Sequence, residues 1–326
     1  MASKPAIAFR CMRVEELKLH GEKSQIAFEE PAPKAKKNSQ RLAGFVLASA
    51  ALLVCFCVPL YDLLRLAVAN DLYSEIPLIP LLSVYLVWLR RENLPRSFGP
   101  ALKPAVAFFA AGALTMALYW LAPFGIAGTV TNYLAFNMLA LLLFFTGICF
   151  AFFGEALRAV AFPMAMLIFT VPFPDFLLRG IETFLQHGSA LFAALFFQLS
   201  GTLFLQDGLD FRFPNCTIQV APECSGIHST LVLVITSLVG GWLFLPTPWK
   251  RVVLTLAVIP LALIRNGFRI FIIGRLCSEY GPQMLASPIH RHGGPLFFVL
   301  SLIPFLLLLF VLRKTEQTKS PTKESL

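Results

Sequence analysis

Charge is what this sequence has least of. Only 14% of its 326 residues are Asp, Glu, Lys or Arg, against about 25% in a soluble globular domain. That scarcity excludes a pair of soluble domains. The seven cysteines contain no CxxC pair, so the usual spacing of a thioredoxin-like or zinc-ribbon site is missing. No cleavable signal peptide is visible at Met1. The first 43 residues are polar, rich in Lys and interrupted by Pro31 and Pro33. Residues 1–43 therefore read as a cytoplasmic, disordered basic tail, with Met12 as an alternative start.

What is present is apolar. Hydrophobic residues make up 57% of the chain, and a spanning helix needs roughly 20 in a row. The pattern predicts an all-α polytopic membrane protein with about eight transmembrane helices. They run over 44–64, 76–89, 104–121, 131–153, 159–174, 227–245, 252–273 and 294–312. The short spans with prolines are tolerable when neighbours bury them. Residues 44–312 form the membrane domain, and 313–326 a second cytoplasmic basic tail. The net charge of +9 does not indicate nucleic acid, because it sits in tails and short loops. With the N-terminus inside, 20 of the 27 basic residues fall on the inner side, as the positive-inside rule requires. Both termini are then cytoplasmic.

Two segments depart from this pattern. Residues 176–199 are apolar but carry Arg179, Glu182, Gln186 and His187 on one helical face. A helix of that kind lies in the interface rather than spanning; were it to span, everything after it would invert. Residues 201–222 hold short alternating runs around Gln206-Asp207-Gly208 and Pro214-Asn215, which predicts a small extracytoplasmic β-hairpin insert.

The candidate chemistry follows that insert. Cys224 lies in Glu223-Cys224-Ser225-Gly226-Ile227, where a span begins. A thiol at a helix N-terminus feels the positive end of the macrodipole, which favours the nucleophilic thiolate. Gly226 allows close approach of the backbone. The bland alternative is a small buried thiol beside a Ser225 N-cap. The second candidate set is Arg265-Asn266-Gly267-Phe268-Arg269. Arginines close to hydrocarbon are costly and mark function by default, and Arg265 and Arg269 share a helix face. A guanidinium there suits an oxyanion or a carboxylate, or merely snorkels to headgroups. The third set is His290-Arg291-His292-Gly293-Gly294, which supplies an acid/base group. His228, four residues after Cys224, would share its helix face and is a rival base. The paired histidines with Cys224 or His228 form a conceivable metal set. No carboxylate or second thiol stands at ligand spacing, so no metal and no cofactor is expected. Cys216, Cys224 and Cys277 lie near one membrane face, and compartment alone allows a disulfide between two of them.

In these motifs and their order the chain resembles the exosortase/archaeosortase family of membrane cysteine enzymes. The resemblance also takes in Asp71-Leu72-Tyr73-Ser74-Glu75-Ile76-Pro77-Leu78-Ile79-Pro80 and covers residues 44–312. It implies a cysteine endopeptidase or transpeptidase, a thiol protease of the bacterial inner membrane whose site faces the periplasm. Its partners would be exported proteins with a C-terminal sorting signal of the PEP-CTERM type, and a polysaccharide or lipid acceptor. It also implies roles: Cys224 as nucleophile, Arg269 as oxyanion or substrate stabiliser and His290 as acid/base, with Arg265, Asn266, His228 and His292 in support. His292 and His228 depart from the family pattern as competing histidines. The rival readings are a transporter or flippase for an anionic lipid or solute, and a non-catalytic assembly factor for exported proteins.

Overall fold

A computed structural model of the chain describes residues 33–93, 99–121, 128–281, 283 and 294–317. Among them, α1 (Pro33–Cys55) and α2 (Cys57–Ala69) form a pair bent by 68° rather than one straight span. Pro59 sits in the first turn of α2. It has no N–H to continue the ladder from α1, which places the break just before it. A turn at Asp71–Tyr73, capped by the Asn70 side chain, leads into α3 (Leu78–Leu89). Then come α4 (Leu102–Leu121), α5 (Val130–Phe153) and the short α6 (Ala161–Met166). Helix α7 (Asp175–Leu199) precedes the sheet, and α8 (Ile227–Phe244), α9 (Pro248–Leu256), α10 (Val258–Tyr280) and α11 (Gly294–Gln317) follow it. Helix α1 begins well before residue 44, and α11 runs beyond residue 312.

Six helices among the described residues are long and apolar enough to cross a membrane, or seven with the bent pair counted as one span. One of these, the run Val130–Thr170, reverses at Gly154. Val171 rejoins Leu134 and Met138 in one buried cluster, and the Asp175 N–H donates to Asn132 Oδ1 at 2.8 Å. That run therefore turns back within the bundle instead of continuing as one straight helix, and the expected count of about eight compares with six or seven candidate spans among the described residues. The exterior is apolar: Val68 is 90% exposed, Leu121 82% and Leu47 73%. Surfaces like these are incompatible with water over so many helices, and the protein is a multi-pass membrane protein.

The bundle has two distinct ends. At one, Lys250 is buried and donates from Nζ to Leu312 O (3.1 Å) and Thr315 Oγ1 (3.0 Å). Arg90 covers the Trp242 ring there. At the other end lie the N-termini of α5 and α8, the Asp71–Tyr73 turn, and all of α7. Helix α7 starts beside Asn132 and finishes near Arg275, whose Nη1 donates to Thr202 Oγ1. It begins and ends at one end of the bundle, so it does not cross. Its inner face holds Leu185, Ser189, Ala190, Ala193, Ala194 and Phe197. The small Ser189, Ala190, Ala193 and Ala194 in the middle of that face let it lie close along α10.

Three short strands follow α7: β1 (Leu205–Asp207), β2 (Asp210–Arg212) and β3 (Thr217–Gln219), an antiparallel meander in the order β1-β2-β3. The expected hairpin is thus one strand larger. Phe211, Ile218 and Val220 from the sheet pack on Phe197, Ile270 and Ile273. A Cys216–Cys277 disulfide ties the sheet to α10, with Cα atoms 6.3 Å apart, a normal separation for such a bridge.

Candidate active site

The cysteine motif is shaped by three consecutive devices. Pro222–Cys224 is a single 3-10 turn, closed by the Cys224 N–H on Ala221 O at 2.9 Å. Gly226 then adopts φ 74°, ψ 19°, the left-handed conformation, and α8 starts only at Ile227. A side chain at Gly226 would be strained by that φ, and its Cβ would lie 3.1 Å from both Arg265 Nη2 and Asn266 Oδ1. The glycine serves the turn itself. Cys224 thus stands just before the α8 N-terminus, where the sequence places it. One expectation is corrected: Cys224 and His228 do not share a helix face, because the left-handed residue between them breaks the helical geometry.

Helix α10 supports this turn through Arg265-Asn266-Gly267-Phe268-Arg269, each residue of the polar trio differently. Asn266 is 2% exposed. Its Nδ2 donates to Cys224 O (2.7 Å), Ser225 O (3.2 Å) and Ser189 Oγ (3.0 Å). Those acceptors occupy the amide, so Asn266 positions the cysteine turn. Arg265 is buried too, with Nη2 3.4 Å from Gly226 O and 3.5 Å from Thr230 Oγ1. It braces the same turn from behind. Arg269, one helical turn further on, lines a cleft of about 210 Å³ together with Cys224 and Asn266. The cleft's remaining walls are residues 217–221, which run from β3 towards Cys224, and Ile270 and Ile273 of α10. Gly267 explains its own place in the motif. A Cβ there would come within 2.6 Å of Phe192 Cβ and 2.9 Å of Ser189 O, so α7 approaches only because the side chain is absent.

The histidines divide. His228 Nδ1 lies 3.0 Å from Glu75 Oε1, close enough for an ion pair although its angles fall short of a good hydrogen bond. It is turned to the Asp71–Tyr73 side of the site. His290 and His292 lie outside the described residues. No three His, Cys, Asp or Glu side chains form a metal-binding group among the described residues.

Three residues at the site escaped the sequence reading. Ser189 anchors Asn266. Gln186, assigned to a polar interfacial face, is buried and donates from Nε2 to Val220 O at 2.8 Å, fixing the strand that leads to the cysteine. The pairs of small residues Ser189–Ala190 and Ala193–Ala194, four apart on α7, were the available signal for an inward face. Glu75 was within the quoted Asp71–Pro80 stretch but had no visible partner in sequence. Of the two disulfide candidates paired here, neither is Cys224, which keeps its thiol.

Residues 64–307 match the family model of the transmembrane exosortases. Comparison with curated proteins and with solved structures gave no match. The matched region runs from α2 into α11 and contains the cysteine turn, the α10 motif and the histidine segment. On that match the chain belongs to the transmembrane exosortase family.

Proposed function

We propose that the protein is a cysteine endopeptidase or transpeptidase that cleaves C-terminal sorting signals, of the PEP-CTERM type, from exported proteins at the outer face of the bacterial inner membrane. The observation that carries this reading is the shared cleft: Cys224 and Arg269 line one small cavity at one end of the bundle. The Cys224 thiolate attacks the scissile carbonyl carbon. Arg269 stabilises the oxyanion that forms, where removing one such donor typically costs roughly 100- to 1000-fold in rate. The tetrahedral intermediate collapses by breaking the C–N bond. His290 gives its proton to the leaving amine, and the acyl group stays on sulfur as a thioester. Water, or a hydroxyl or amine of a polysaccharide or lipid acceptor, then attacks the thioester. His290 takes the proton of that nucleophile, and the Cys224 thiolate leaves.

Two features support the periplasmic orientation. Arg90, Arg91, Lys103, Arg158, Lys250 and Arg251 gather at the end opposite Cys224, which is the inner end by the positive-inside rule. The Cys216–Cys277 bridge suits an oxidising compartment. The test is co-expression with an exported protein ending in a Pro-Glu-Pro segment, an apolar helix and a basic cluster. Wild-type protein should generate a shorter species on a gel, and Cys224→Ser should not. Equal shortening by both would remove Cys224 from the reaction. Transport or retention of the substrate without shortening would favour the rival readings.

A further inference from the structure

The route by which a polypeptide reaches Cys224 is written in the sheet beside it. In the β2–β3 ladder the residues that exchange backbone hydrogen bonds alternate with those that do not. The Phe213 N–H donates to Cys216 O and the Val220 N–H to Leu209 O, and Phe211 faces Ile218. Cys216, Ile218 and Val220 therefore turn their peptide groups toward β2. Thr217 and Gln219 turn theirs the other way, to the outer edge of the sheet. β3 is an edge strand, with no further strand beside it among the described residues. Consecutive residues 217–221 all line the cleft that holds Cys224 and Arg269. Only an edge, rather than one face of a strand, brings both odd and even positions to the same cavity.

We infer that the substrate binds by β-addition: an extended stretch of the exported polypeptide pairs with the outer edge of β3 and runs on to Cys224. This rests on the proposed function and specifies how its substrate is held. Unpaired strand edges are templates for another chain, and peptide-recognition domains use them, with main-chain hydrogen bonds supplying the affinity. Here the groups available are the Thr217 N–H and C=O and the Gln219 N–H, since Gln219 O already accepts from the Ala221 N–H at 3.0 Å. An added strand would lie about 4.8 Å from β3. The edge continues through Ala221 directly into the Pro222–Cys224 turn, so a paired chain is led to the thiol. The Cys216–Cys277 bridge and the Gln186 bond to Val220 O fix both ends of this edge, which keeps the template rigid. Main-chain pairing grips a peptide with little demand on its side chains.

The test is a backbone scan. Full-length protein in nanodiscs is given a synthetic peptide that covers the scissile bond and the apolar segment, with single N-methyl amides placed one position at a time near that bond. Pairing predicts losses of at least about tenfold in kcat/KM at every second position, with small effects between. Losses with no alternation, or none at all, would overturn the pairing and leave the proposed function intact. Absence of Cys224-dependent cleavage of the unmethylated peptide would overturn both. On the protein side, Gln219→Pro removes an outward N–H without touching the ladder to β2, a position where a strand tolerates proline. It should lower processing at least about tenfold while the Cys216–Cys277 bridge still forms. Native processing by Gln219→Pro would also overturn the pairing. Should that variant fail to form the bridge, the methyl scan decides.

Discussion

Replacing Asn266 with Asp tests whether one buried amide holds the cysteine turn in shape. The two side chains have the same size, so packing is preserved while the donor is lost. Two main-chain carbonyls, of Cys224 and Ser225, and the Ser189 hydroxyl depend on that donor. Leaving a buried acceptor without its partner costs about 1–3 kcal/mol, so the two carbonyls alone put the loss at roughly 2–6 kcal/mol. Asp adds repulsion, because its oxygen would face Cys224 O across the present 2.7 Å. At about 1.4 kcal/mol per tenfold, even the lower figure lowers the population of the correct turn about thirtyfold. The assay is processing of the tailed substrate, scored beside Asn266→Ala and Ser189→Ala. Formation of the Cys216–Cys277 bridge serves as the measure of folding. Asn266→Asp should be at least as poor as Asn266→Ala, and Ser189→Ala much milder. Native-rate processing by Asn266→Asp, with the bridge formed, would refute the positioning role.

Arg269→Lys should lose most activity at normal protein level, because Lys keeps the charge but not the planar fork; native rate in that variant with Arg265→Lys inactive would move the anion-stabilising role to Arg265. His290→Ala should abolish processing while His292→Ala and His228→Ala retain measurable activity; full processing by His290→Ala with His292→Ala dead would shift the assignment two residues, and full activity in all three would remove histidine from the mechanism. Gly226→Ala should reduce processing through the strain of its φ of 74°, a cost of about 1–3 kcal/mol; native activity would contradict the turn as described. A membrane-impermeant maleimide should label Cys224 in spheroplasts, and labelling only after lysis would put the site in the cytoplasm.

The parts of this molecule legible in its sequence are those set by one-dimensional rules. The length of the apolar runs located most of the membrane helices, and turn chemistry around Gly208 and Pro214 located the strands. The bend at Phe56 was missed because its cause, Pro59, lies inside an otherwise uninterrupted apolar run. The site was legible as three motifs but not as an arrangement. Spacing made Cys224 and His228 neighbours on a helix, whereas the left-handed Gly226 separates them. Spacing also made Arg265 and Arg269 equivalents, whereas one braces the turn and the other faces the cleft. The reason is physical: which of two arginines faces the cleft depends on what α7 and the turn already occupy, and those contacts join residues far apart in the chain, such as Ser189 and Asn266. Gln186 was misread for the same reason, since its partner at Val220 belongs to a different element.

If Cys224 carries the acyl group, the thioester intermediate can be trapped on it. Purified protein is mixed with the tailed substrate, quenched in acid, and digested for mass spectrometry. The expected result is a hydroxylamine-labile adduct of the substrate's N-terminal fragment on the peptide holding Cys224, absent from Cys224→Ala. Substrate cleavage by Cys224→Ala at the wild-type rate, or an adduct on any other residue, would contradict it.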